Sequence, residues 1–196
     1  APFSDMEAAH RKAMESVKLR PLAVVPCSVD LAAPRVLDVA QALKARVVFA
    51  GELRTRRVTD VGLCAANVPN ALRAMRPGSL IITPGDRSDI MMAAALSVQS
   101  GTPLAGLLLT GGHDPDPRVV RLCRKALDTG LPVLAVDESS YRAATHVASM
   151  NTEIPADDPD RIERTMNFVA DRVDVTWVDG FSQAARVPRL SPPAFR

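Results

Sequence analysis

Aromatic side chains are scarce in this chain, 4% of 196 residues with one Trp and one Tyr. A platform that stacks unpaired bases needs clustered rings, and the composition does not provide them. Net charge is equally thin at +2, so there is no overall basic field to hold a polyanion by counterion release. Nucleic acid is therefore not an expected partner. Cysteine is limited to Cys27, Cys64 and Cys123, widely separated and without a C-x-x-C pair. That argues against a disulfide framework or a zinc site and for the reduced thiols of a cytoplasmic protein. No apolar run reaches the roughly 18 residues of a membrane span, and the first residues lack a signal-peptide pattern. Neither a membrane nor a metal is expected.

Hydrophobic residues make up 47% of the chain and charged residues 23%, enough apolar material for a folded core. Arginine outnumbers lysine 20 to 4. Guanidinium suits forked pairing with carboxylate or phosphate, although biased genome composition explains the excess equally well. The chain opens on "APFSD" without Met and closes on the Pro-rich "RVPRLSPPAFR". An excised piece with a linker leading onward is the expectation.

Helix formers at helical spacing predict a helix over 5–18, and "LAVVPC" (22–27) reads as a strand. "APRVLDVAQAL" behind it is helical and "RVVFAG" is again a strand, which gives a β-α-β unit and a boundary near Gly51. Thereafter strands (79–83, 105–109, 132–136) alternate with helices (88–100, 117–129, 138–147). Such alternation predicts a three-layer α/β/α body around a mostly parallel sheet. Asp116 and Pro117 mark one helix start, with Gly130 and Pro132 as its stop, and Asp158 with Pro159 marks another. "VDVTWV" (173–178) reads as a last strand, with Trp177 a core or interface anchor.

In open parallel sheets ligands sit beyond the carboxyl ends of the strands. Two such ends stand out. "ITPGDRSDI" places Gly85, Asp86 and Arg87 in a turn, with Ser88 or Asp89 to cap the following helix. "LTGGHDPDP" places Thr110, Gly111 and Gly112 after the next strand, where glycine lets amide N–H groups approach an anion. In "RTRR", Arg56 and Arg57 suit a phosphate clamp or an ion pair at a subunit contact. Each feature also has a plain structural reading: Asp86 pairing with Arg87, glycines permitting a tight loop, arginines solvated. Neither a G-x-x-x-x-G-K-[ST] nor a G-x-G-x-x-G occurs, so no phosphate cradle follows. His10, His113 and His146 are isolated, and no G-x-S-x-G elbow or metal-spaced cluster appears. No catalytic residue and no cofactor is assigned.

With "GDR" at 85–87 and "TGG" at 110–112 closing successive strands, the sequence resembles the DRTGG domain family. Together with "RTRRV", "GSLIITPGDRSDIMMAAAL", "GLPVLAVD" and "RLSPPAFR" it is similar to the middle region of long-form bacterial phosphate acetyltransferases. That resemblance implies a fold like the N-terminal domain of HPr kinase over 51–180. It makes 1–50 the tail of a dethiobiotin-synthetase-like P-loop domain and 181–196 a linker to a C-terminal acetyltransferase domain. The parent would interconvert acetyl-CoA and phosphate with acetyl phosphate and CoA. The region in hand would be non-catalytic, serving regulation by pyruvate, phosphoenolpyruvate or NADH and assembly into a homo-oligomer, a hexamer by resemblance. A small anionic effector would then bind around Gly85, Asp86, Arg87, Thr110, Gly111 and Gly112, with Arg56 and Arg57. The alternatives are a free-standing DRTGG sensor of another signalling protein and an independent enzyme acting on a phosphorylated metabolite.

Overall fold

A computed structural model describes residues 3–19, 21, 23–151, 153–173, 175–176 and 179–180. The described residues form two compact units, 32–153 and the pair of flanking segments 1–31 with 154–196. The flanking unit contributes helices α1 (Phe3–Ser16), α2 (Val29–Ala32) and α9 (Pro159–Ala170). Asp158 caps α9 as its sequence predicts, accepting from the Arg161 amide, and the Arg161 guanidinium donates to Leu31 O at 2.5 Å.

The unit 32–153 is built on five strands: β1 (Arg46–Phe49), β2 (Asp60–Leu63), β3 (Ser79–Pro84), β4 (Gly106–Thr110) and β5 (Val133–Ala135). Their spatial order is β1-β5-β4-β3-β2. The last four are parallel and β1 runs antiparallel to β5. From β2 to β5 every crossover steps the same way, and right-handed crossovers then put the connecting helices on one face. Those helices are α4 (Val68–Ala71), α5 (Ser88–Gln99), α6 (Pro117–Leu122) and α7 (Arg124–Leu127). Their apolar sides meet Ile81, Leu107, Leu109 and Val133. The opposite face, with Leu80, Ile82, Leu108 and Leu134, is covered by α3 (Val36–Ala42) and α8 (Ser140–Ala148). Successive residues of each strand thus enter different cores, which is why these strands read as continuous apolar runs.

Several elements depart from the sequence expectation. Residues 23–27 form no strand, and β1 pairs with β5 in the main sheet, so the β-α-β unit ahead of Gly51 does not form. The helix expected over 117–129 breaks at Cys123 into α6 and α7. Val175 and Thr176 are helical rather than extended, while Trp177 and Val178 lie outside the described residues. Cys64 and Cys123 are buried and Cys27 is exposed. Among the described residues no helix is long and apolar enough to cross a membrane.

Candidate functional site

The connections leaving β4 and β5 part company: β4 leads to α6 on one face of the sheet, and β5 leads to α8 on the other. Neighbouring strands whose following helices go to opposite faces leave a crevice at their carboxyl ends. A cleft of about 410 Å³ lies there, lined by residues from the β3, β4 and β5 ends: Asp86 and Arg87, Thr110, Gly111 and His113, and Ser139 and Ser140. The two strand ends singled out from sequence are in register, Pro84 opposite Thr110. The Gly85 amide donates to Thr110 O at 2.9 Å. Gly85 is buried, and a Cβ there would fall 2.0 Å from the His113 carbonyl oxygen. This close backbone approach requires glycine.

Within the cleft the residues divide between support and display. Arg87 is committed to support: its guanidinium pairs with Asp89 at 2.8 Å and donates to Ala65 O and Ala66 O. The hydrogen bond from Arg87 holds the Asp89 carboxyl below its ordinary range. Asp89 therefore faces Arg87, and neither it nor Ser88 is the N-cap of α5, a position held by Arg87 without a side-chain cap. Burial pushes the nearby Cys64 thiol up, with Arg87 opposing that shift. Asp86 is exposed at the rim.

Gly111 and Gly112 do take the positive φ that glycine permits, 81° and 69°. Their amides, however, are not offered to a ligand. Gly111 N–H donates to Glu138 O at 2.9 Å and Gly112 N–H to Val136 O at 3.1 Å. The glycines tie the β4 end to the β5–α8 connection instead.

What the cleft displays comes from Ser139 and Ser140, which the sequence reading did not single out. Ser139 stands at the N-cap of α8 in extended conformation, yet its hydroxyl makes no cap hydrogen bond. The amides of Ser140, Tyr141 and Arg142 thus begin the helix without a side-chain acceptor. The Ser140 hydroxyl lies 2.6 Å from that of buried Thr110. The signal was present in "DESS", a serine pair between a strand and a helix. His113 forms no hydrogen bond to either serine among the described residues.

Arg56 and Arg57 are not part of this arrangement. Arg56 pairs with Glu52 at 3.0 Å and donates to Leu104 O and Thr129 O. Those carbonyls precede β4 and β5, so Arg56 staples the amino ends of the strands, the edge opposite the cleft. Arg57 forms an isolated antiparallel bridge with Arg35.

The model of the DRTGG domain family matches residues 38–150, which contain both strand ends of the cleft. Phosphate acetyltransferase of Pseudomonas aeruginosa is 49% identical over 177 residues, 90% of this chain and 25% of that protein. The Escherichia coli phosphate acetyltransferase is 41% identical over 94% of this chain and 26% of its own length. The chain thus spans about a quarter of these curated relatives. Among solved structures, the CBS and DRTGG domains of the regulatory region of Clostridium perfringens pyrophosphatase, complexed with the activator diadenosine tetraphosphate, align with a TM-score of 0.49. That alignment has 16% identity and covers 81% of this chain and 69% of the other. With the family model matching more than half of the chain, this chain belongs to the DRTGG domain family.

Proposed function

We propose that this chain is the regulatory and assembly region of a long-form phosphate acetyltransferase, and that the cleft at the ends of β3, β4 and β5 binds a small anionic metabolite. The parent would interconvert acetyl-CoA and phosphate with acetyl phosphate and CoA in a cytoplasmic homo-oligomer, its acyl transfer housed in a domain beyond Arg196. On this reading the DRTGG region, whose family match begins at residue 38, transmits effector binding to the catalytic domain, and the segment ahead of it is the tail of a P-loop-like domain. The relatives named above support the parentage. The observation that carries the effector site is the convergence of Thr110, Ser139, Ser140 and the uncapped start of α8 on one cleft. A helix N-terminus favours negative charge, and hydroxyls complete the coordination of a carboxylate or phosphate. A ligand that prefers one arrangement of the cleft shifts activity by its differential affinity.

NMR titration with pyruvate, phosphoenolpyruvate and NADH should move the amides of 85–88, 110–114 and 139–142. A Ser139→Asp exchange supplies the missing cap and places a carboxylate at the anion position. It should raise stability by about 0.5–1 kcal/mol while weakening every anionic ligand. Unchanged anion binding in that variant removes the cleft from consideration. In the full-length enzyme, deleting residues 1–196 should abolish the effect of metabolites on acetyl transfer while leaving turnover; a fully regulated truncated enzyme would refute the regulatory role.

A further inference from the structure

A second, larger cleft of about 520 Å³ lies on the other side of the β5–α8 connection, between that connection, the end of α3 and the start of β1. Nothing in the proposed effector site uses it. One wall carries Lys44 and Arg46 and the other carries Asp137 and Glu138, with His146 of α8 beside them. Partly exposed Leu43 and the edges of the largely buried Ala135 and Val136 complete the lining.

Most of these charges are already matched. Arg46 pairs with Asp114, and His146 lies 3.1 Å from a Glu138 carboxylate oxygen. Lys44 and Asp137, by contrast, form no ion pair or side-chain hydrogen bond among the described residues. The cleft therefore presents one spare cation from the α3–β1 segment and one spare anion from the β5–α8 connection, both exposed. A simple anion would satisfy Lys44 and face Asp137; a simple cation would do the reverse. Metal binding has no support either, since the described residues contain no cluster of three or more His, Cys, Asp or Glu able to hold an ion.

Lys44 has a further feature. It closes α3 with φ at +50°, a left-handed conformation that glycine adopts without penalty and lysine does not. Its amide donates to Gln41 O and the Ala45 amide to Ala40 O, the bonding of a helix end normally completed by glycine. Lys18 closes α1 in the same way, with φ +60° and the equivalent amide bonds to Glu15 O and Met14 O, so the turn is a helix end completed by lysine in both places; at Lys44 it brings an ammonium group to the lining of a cleft.

We infer that this second cleft binds a free α-amino acid with an apolar side chain, its carboxylate on the Lys44 wall, its ammonium on the Asp137 wall and its side chain against Leu43 and Val136. The inference does not depend on the anion site, since the groups it uses are separate. The two clefts nevertheless share a wall, because Glu138 and Val136 accept the amides of Gly111 and Gly112.

The test is isothermal titration of the 196-residue chain with L-valine, L-leucine and L-methionine, alongside 3-methylbutylamine and 4-methylpentanoate, which keep the leucine side chain and one charge each. At least one amino acid should bind, and for leucine each single-charge analogue should bind about tenfold or more weakly, as expected for loss of a charge-assisted contact. Lys44→Gly should melt at a higher temperature than the parent yet bind about tenfold more weakly or not at all. Loss of binding then cannot be ascribed to misfolding. Asp137→Asn should weaken binding similarly, and Ser139→Asp should leave it unchanged. The inference is overturned if none of the three amino acids binds, if a single-charge analogue matches leucine, or if both Lys44→Gly and Asp137→Asn bind as the parent does.

Discussion

At the scale of single residues, two glycines of the cleft are glycine for different reasons. Gly85 is fixed by crowding, since a Cβ would strike the His113 carbonyl at 2.0 Å, a backbone atom that cannot swing aside. Gly111 is fixed by its dihedral, φ 81°, whereas its nearest neighbour is a His113 ring carbon at 3.3 Å that can yield. Gly85→Ala should therefore cost about 3 kcal/mol or more through overpacking, and Gly111→Ala about 1 kcal/mol through left-handed strain. Urea unfolding of both variants checks the ranking, and equal losses would mean that the 113 backbone moves freely. Arg56 makes the same distinction between role and residue type: its forked donors hold Leu104 and Thr129 in place, work that a lysine could not reproduce.

Among the elements, α6 carries the clearest dependence on pH. Hydrogen bonds from the Arg118 side chain and then its amide lower the Asp116 carboxyl to about 2. Because the folded value lies below the unfolded one, the charged cap stabilises α6 fully above the ordinary aspartate range. That contribution drains away as pH falls through the folded value. Asp116→Asn keeps a cap oxygen without the titration. Melting temperatures of parent and variant should thus converge as pH drops from about 5 to about 2, and parallel curves would contradict the assignment. The Asp116 cap was legible because Asp-Pro before an apolar stripe leaves little choice. Strands β3, β4 and β5 were legible for the opposite reason, continuous apolarity imposed by two buried faces. "LAVVPC" satisfies the same pattern, but no described residue of 23–27 joins a sheet; apolarity over so short a span does not imply a pairing partner. The direction of β1 was equally hidden, since pairing with β5 joins residues some ninety positions apart, Arg46 with Ala135. At the site, glycine advertised the ends of β3 and β4, whereas β5 ends in "DESS" without a glycine, and Ser139 and Ser140 went unread.

For the molecule as a whole, the arrangement of cores decides what can stand alone. Both apolar clusters, on either face of the sheet, are made entirely from residues inside 32–153. The sheet that they sandwich has all its strands there too, including β1 at one edge and β2 at the other. A fragment of residues 32–153 should accordingly unfold in one cooperative transition, as single domains of that size usually do. Stability within it should be graded. β4 is paired on both sides and its residues Gly106–Thr110 are buried throughout, whereas Val47 in β1 and Leu63 in β2 are each 45% exposed on edge strands. Hydrogen exchange should then be slowest at Leu107, Leu108 and Leu109, opening only with global unfolding, and much faster at Val47 through local fraying. A fragment starting at 51 would discard α3 and β1, strip Val36 and Val39 from the second cluster and expose the edge of β5. Its β5 amides should lose protection and the protein should aggregate through that open edge. If instead 51–153 exchanged as slowly at β5 as 32–153 does, the sheet would be complete without β1, and the cleft at the end of β5 would owe nothing to the segment before Gly51.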